Sequence, residues 1–498
     1  MKQCSNKGRR VFGLGALFVF ALVGQTPEQA AKFAQARDLM SGERFAEAVP
    51  LWRDLVASAP GNTGLAMNFG VALHMTGQDA EAVAQLERAV KGQPSGYPPL
   101  MMLSMSYVRL GQPGKAVPYL DKALVLKPGD PQARRLLADA LLAAGRYEAA
   151  LPHLRKMTET APEDPRVWYG LGRCHELLAQ KTFDDLFRSA PESPYTLLLA
   201  GETRLRQKKF NSAFGFLKEA SAKPGGAVLN GLHEALAEVY TQTGHPEWAE
   251  AARAQETNPA CPSLPCSYAG GKFDEVVRSA KLRRGPEGLF WLTRAWNAQA
   301  LEAFRKLTAL PPSMELYEVI AELQRNQGLY ADSLESWGKA LEAAPRGEAP
   351  RIRREIAATL WISRDFAKAE PALREQLAAG AGDPELNFML GDALLNQQRG
   401  AEAIPFLEKA SQADSGNLAV RSALARSFGQ AGESAKAIPH LEASLAADTD
   451  GALHYQLARA YQAAGRGEEA KKLLLKYQAL LKASQQREGK DGGEITAP

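Results

Sequence analysis

Cysteine is scarce, with 4 in 498 residues. Cys261 and Cys266 are separated by four residues, unlike the two-residue gap of a thioredoxin-like redox motif, and the pair supplies too few ligands for a structural zinc site. The chain also lacks a Gly-rich phosphate loop, a nucleophile elbow and a His-Glu-x-x-His pair, so the signatures of phosphoryl transfer, serine hydrolysis and zinc-peptidase chemistry are missing. Seven histidines, His74, His153, His175, His233, His245, His440 and His454, are scattered, and none pairs with another at helical spacing. No catalytic set, metal site or cofactor is therefore expected. A one-signed charge excess is missing as well. The formal net charge of +4 is accounted for by Lys2, Lys7, Arg9 and Arg10. A nucleic-acid binder of this size would carry a basic stripe, so nucleic acid is excluded as a partner.

Those four basic residues open the chain, and the uncharged, mostly apolar run Val11 to Gly24 follows them. That is the outline of a secretory signal, with cleavage expected after Ala21. The run is shorter than the roughly 20 residues of a membrane span. Residues 1–24 are expected to be a signal peptide or, if uncleaved, an N-terminal anchor through residues 11–24, the one route to a membrane. Export places the protein in the periplasm or outside the cell.

What the chain has in abundance is a beat of thirty-four residues. Gly70 and Gly77 precede Ala82, Leu86, Ala89 and Pro94; Tyr107 and Gly111 precede Ala116, Leu120, Ala123 and Pro128; Gly145 and Tyr147 precede Ala150, Leu154 and Pro162. Apolar residues recur at helical spacing on both sides of each Gly, so each unit reads as two amphipathic helices joined by a Gly-centred turn. The closing Pro ends the second helix, since it lacks an N–H and restricts the residue before it. One such hairpin cannot bury its apolar face alone, so the units stack. They start near 29, 63, 97 and 131, then 194 and 230, and resume near 314, 350, 384, 418 and 451.

Two stretches break the beat. Between Pro162 and Pro191 the Gly turn is missing, and Arg173, Phe183, Leu186, Pro191 and Ala200 match Arg294, Phe304, Leu307, Pro312 and Ala321 without a gap. This suggests a larger internal duplication. Each stretch is read as a long or kinked helix, or as a hairpin with an abbreviated second helix. Between the halves, Pro259, Pro262 and Pro265 interrupt helical periodicity and leave a loop. Cys261 and Cys266 within it form a local disulfide or remain two unpaired thiols, and export favours the disulfide. The expected organisation is an array over 25–257 with an abbreviated unit near 163–193, a Pro/Cys loop and second abbreviated unit over 258–313, and an array over 314–481. Residues 482–498 offer little to bury and read as a disordered tail.

A thirty-four-residue period with small residues at these offsets resembles the tetratricopeptide repeat. The resemblance implies an all-α fold, a right-handed superhelical α-solenoid of stacked helix-turn-helix units. It also implies that the first helix of each unit lines a concave groove through its fifth, ninth, twelfth and thirteenth positions. In this sequence those are Phe33, Arg37 and Met40; Met67, Val71, His74 and Met75; Met101, Met105, Val108 and Arg109; and Arg135 and Asp139. The methionines would suit apolar ligands of varied shape, and the same stripe would equally serve as core. In the later units the wall is Phe388, Asp392 and Asn396, then Ser422 and Arg426, then Tyr455, Arg459 and Gln462. Arg426 and Arg459 could together hold a carboxylate, pair with Asp392, or stay solvated. The Lys and Asn pattern of chaperone-docking members is not reproduced. Expected, then, is a non-catalytic scaffold binding a peptide or protein in its groove, for envelope assembly or secretion. The alternatives are a structural array or membrane-anchored spacer, and a non-catalytic subunit of an enzyme or polymer-export complex.

Overall fold

A computed structural model describes residues 26–256, 260–345, 347–379, 382–448, 450–491 and 495–497. The expected signal or anchor, residues 1–24, lies outside them, as do Asn258 and Pro259 of the Pro/Cys segment. Among the described residues there are 26 α-helices and no strand. The chain is a helical-repeat solenoid, divided into two compact units, Met1–Leu178 and Ala179–Pro498.

The first unit holds α1 (Pro27–Ser41), α2 (Phe45–Ser58), α3 (Thr63–Met75), α4 (Asp79–Gly92), α5 (Tyr97–Arg109), α6 (Pro113–Leu126), α7 (Pro131–Ala143) and α8 (Tyr147–Thr160). The division falls inside α9 (Pro165–Ser189). The second unit continues with α10 (Pro194–Arg206), α11 (Phe210–Ala222), α12 (Leu232–Gln242), α13 (Pro246–Arg253), α14 (Leu264–Ala269), α15 (Phe273–Lys281) and α16 (Pro286–Thr308). Five hairpins follow: α17 (Met314–Asn326) and α18 (Tyr330–Ala343); α19 (Ala349–Ile362) and α20 (Phe366–Ala379); α21 (Pro384–Asn396) and α22 (Gly400–Ala413); α23 (Leu418–Gln430) and α24 (Ser434–Glu442); α25 (Ala452–Ala463) and α26 (Gly467–Asp491). First helices thus begin within two residues of the starts read from the sequence.

Local chemistry sets these ends. First helices are capped by side chains: Asn62 Oδ1 accepts from Gly64 N at 3.0 Å, Asp130 from Ala133 N at 2.8 Å, and Asp383 from Glu385 N at 3.0 Å. Each cap satisfies donors that a helix N-terminus leaves without a partner. The turn into the second helix needs one left-handed residue, supplied by Gly77 at φ 78° and by Gly432 at φ 78°. Four turns place a larger residue there: Glu43, Lys208, Arg364 and Gln398. Within a hairpin the helices meet at a small residue. A Cβ on Gly70 would lie 2.6 Å from Leu86 Cγ, and one on Gly391 would lie 2.5 Å from Leu407 Cγ. Burying each of these leucines contributes roughly 2 kcal/mol, provided the partner stays glycine.

The two stretches without a Gly turn are single helices, α9 of 25 residues and α16 of 23. The Pro/Cys segment differs from its reading as a loop and as the boundary between halves. Ser263 caps α14 by accepting from Cys266 N at 3.3 Å, and Pro265 sits in the first turn, where its missing N–H costs nothing. Nor do the units divide there, because α16 packs on α10 across it. Half-buried Arg294 of α16 pairs with Glu202 of α10 and donates to the Asn230 carbonyl at 3.3 Å. At the other end α26 continues to Asp491, past Lys482 where the sequence reads as tail.

Candidate functional site

In the first unit the buried part of the expected groove wall is Met40, Met67, Val71, His74 and Met101, five of its thirteen residues, with Met101 at 1 % exposure. The reason is that α3 buries an unbroken run from Leu65 to His74 and α5 a run from Pro99 to Ser104, so both helices are enclosed on every side. Of the wall methionines Met75 is exposed and Met105 half-buried. Phe33 packs edge-on against Trp52 at 5.4 Å, Arg37 pairs with its neighbour Asp38 at 3.2 Å, and Arg135 with Asp139 at 3.7 Å.

His74 and Arg109 do come together, joined by two residues that the repeat frame does not point to, Asp79 and Ser106. Arg109 Nη2 donates to His74 Nε2 at 2.6 Å, which leaves the imidazole proton on Nδ1. His74 Nδ1 lies 2.7 Å from Asp79 Oδ1 and 2.9 Å from Ser106 Oγ, and Arg109 Nε lies 3.2 Å from Asp79 Oδ2. Burial pushes the His74 pKa down, and the Arg109 charge adds to that against the pull of Asp79. The cluster holds a Ser, a His and an Asp, yet it cannot activate the serine. Asp79 and Ser106 share one ring nitrogen, Arg109 occupies the other, and Ser106 is fully buried. Its work is to tie α3, α4 and α5 together.

The second unit is different. Asp392 and Asn396 of α21 and Arg426 of α23 line one cavity of about 360 Å³. Trp361 and Ile362 of α19, with Arg364 and Phe366 of the next turn and helix, complete it. Trp361 Nε1 donates to Asp392 Oδ2 at 2.9 Å, and its ring meets Phe388 edge-on at 5.8 Å. Asn396 Nδ2 donates to Asp392 Oδ1 at 3.1 Å. Asp392 is therefore satisfied by neutral donors, and it forms no ion pair with Arg426. Neighbouring first helices use their arginines differently: Arg325 pairs with Glu355 at 2.8 Å, Arg351 with Glu318 at 2.6 Å, and Arg354 with Glu385 at 2.6 Å. The side chains of Arg364 and Arg426 have no ion-pair or hydrogen-bond partner among the described residues. Two open guanidinium groups beside an indole and a phenyl ring can take a carboxylate bidentately and an apolar group next to it.

Tyr455 and Arg459 stay outside the cavity lining; Tyr455 packs on Tyr477 at 5.2 Å and Arg459 is exposed. The sequence signal for the missed residues was present, since Trp361 and Ile362 are the twelfth and thirteenth residues of the unit starting at 350. Arg364 carries a different signal, a non-Gly residue at the turn position that Gly fills elsewhere. No group of three or more His, Cys, Asp or Glu among the described residues is placed to hold a metal. No described helix is long and apolar enough to cross a membrane.

Tetratricopeptide-repeat models match residues 33–97, 107–174, 141–201 and 360–427. This is a tetratricopeptide-repeat protein. The last match spans Trp361 to Arg426, and so contains every residue lining the cavity. Several solved repeat proteins are similar to parts of the chain. One is the structure described as MamA MSR-1 C2, 18% identical, with 34% of this chain and 98% of that one covered and a TM-score of 0.31. MamA from Desulfovibrio magneticus RS-1 is 17% identical, with coverage of 34% and 96% and a TM-score of 0.32. YrrB, described as a TPR protein with an unusual peptide-binding site, is 20% identical, with coverage of 33% and 84% and a TM-score of 0.30. No curated protein matches the sequence.

Proposed function

We propose that this repeat protein is an exported, non-catalytic interaction scaffold that captures a peptide or protein segment at the α19–α21–α23 wall. The observation that carries the reading is the pair of unpartnered guanidinium groups, Arg364 and Arg426, beside Trp361 and Phe366 in one cavity. The ligand that fits is a polypeptide segment presenting a carboxylate next to an aromatic or aliphatic side chain. A charge-assisted bond of this kind contributes roughly 1.5–3 kcal/mol. Charge reversal at Arg426 is the direct test, because that side chain is exposed and supports no other contact. Crosslinking in the native organism should capture a partner on the wild type, and Arg426→Glu should reduce capture at least tenfold with helicity unchanged. Equal capture by both would remove this wall from the function.

Export rests on the basic-then-apolar outline of residues 1–24 and on the Cys261–Cys266 pair, whose Cα atoms are 5.6 Å apart, a separation a disulfide spans. A role in envelope assembly or secretion follows from that compartment. Mature protein denatured without reductant should titrate one thiol, Cys174. Three thiols would refute both the disulfide and this support for export.

A further inference from the structure

A hydrogen bond joins α12 of the second unit to the last residues described. Tyr240 of α12 is fully buried, and its hydroxyl donates to the backbone carbonyl of Thr496, 256 residues away, at 3.0 Å. Around Tyr240 lies an aromatic cluster built by α11 to α13. Phe214 is 6.0 Å from its ring and Trp248 is 5.8 Å away edge-on, with His245 stacked on Trp248 at 4.0 Å. Ile495, next to Thr496, is half-buried, and α26 packs on α11. Since α10 also packs on α16, and each helix from α16 to α26 packs on the next, these contacts form a closed circuit within the unit. One join is the half-buried Arg294–Glu202 pair, flanked by the Phe290 ring 5.2 Å from the guanidinium. The other is the contact of α26 and residues 495–497 with α11 and α12.

We infer that the aromatic surface of α11–α13 is a docking site for the chain's own segment 495–497, which acts in cis as a clasp closing the second unit. The chemistry is specific in three ways. A buried tyrosine hydroxyl needs an acceptor, and the Thr496 carbonyl is its acceptor here. The segment Ile495-Thr496-Ala497 is uncharged and small enough to lie along an aromatic cluster. The clasp also crosses few elements, so it can open without disturbing the hairpins on either side, whose stability is set by nearest neighbours. The surface thus selects an extended, uncharged segment that offers a backbone carbonyl, which differs from the carboxylate-bearing ligand of the α19–α23 wall.

The test compares the full chain with a chain ending at Asp491. Amide exchange across residues 210–253 should be faster in the shortened chain, and a synthetic peptide of residues 492–498 should restore protection. Tyr240→Phe in the shortened chain should weaken peptide binding about tenfold while keeping the aromatic packing. Unchanged exchange on shortening, or a peptide that binds wild type and Tyr240→Phe alike, overturns the inference. So does a concentration-dependent dimer of the full chain that is lost on shortening, because the segment would then dock on a second copy.

Discussion

The walls of the two units are built on one sequence frame and end in opposite states. In the first unit the frame positions Met67, Val71 and Met101 are core, and the polar positions His74 and Arg109 are spent on each other through Asp79 and Ser106. In the second, Asp392 is held by Trp361 and Asn396, so the arginines nearby keep their charge for something else. A repeat position therefore predicts where a side chain sits but not whether it is free. What its neighbours offer decides that. A wall rich in self-complementary partners becomes structure, and one whose acids are already satisfied by neutral donors leaves its arginines without ion-pair partners.

The largest effect should come from forcing a charge into the first wall. Met101 is 1 % exposed, and an unpaired carboxylate there costs several kcal/mol. Met101→Glu should unfold the first unit or lower its melting midpoint steeply, whereas Met105→Glu, at a half-buried position, should be tolerated. Circular dichroism melts separate the two. Normal melting of Met101→Glu would mean that this wall is open, and the contrast between the units would fall.

A smaller effect sharpens the second wall. Arg364 holds the left-handed turn conformation at φ 64°, where most units have glycine. For a residue with a Cβ that conformation is strained, by roughly 1 kcal/mol. Arg364→Gly should raise the unfolding free energy by no more than about 0.5 kcal/mol after glycine's own entropy is counted, while weakening partner capture. Stability and binding moving in opposite directions would mark a residue kept for its guanidinium. Loss of stability on Arg364→Gly would instead make it a structural turn residue.

Arg364 also shows which parts of the protein the sequence makes legible. The starts of the first helices were readable because Pro, Gly and small residues act locally, each within a turn of where it sits. The long α9 and α16 were foreshadowed by a missing Gly. Residues brought together from elements far apart were harder. The frame proposed Asp392, Asn396 and Arg426 one by one, but only packing shows Trp361 taking Asp392 away from Arg426. Glu202 gave no local hint that it would meet Arg294, because that contact joins helices 92 residues apart. Burial of the first wall was likewise hidden, since an apolar stripe reads the same whether it faces a groove or a neighbouring helix.

The most modest effect lies in pH. His74 and His153 in the first unit, and His440 in the second, have pKa values below the ordinary 6.5, each chiefly through burial. A histidine whose folded pKa is depressed binds fewer protons folded than unfolded. Its stabilising contribution is complete above 6.5 and is lost as pH falls through the lowered folded value. The first unit should therefore lose stability between pH 7 and pH 5, before most carboxylates titrate. His74→Asn should lower stability at pH 7.5 by removing the contacts to Asp79 and Arg109, yet flatten the slope between those pH values. If the slope of the melting temperature against pH is the same in His74→Asn and wild type, His74 is not held neutral by its burial and the Arg109 charge, and the first wall's polar positions are less self-satisfied than their geometry implies.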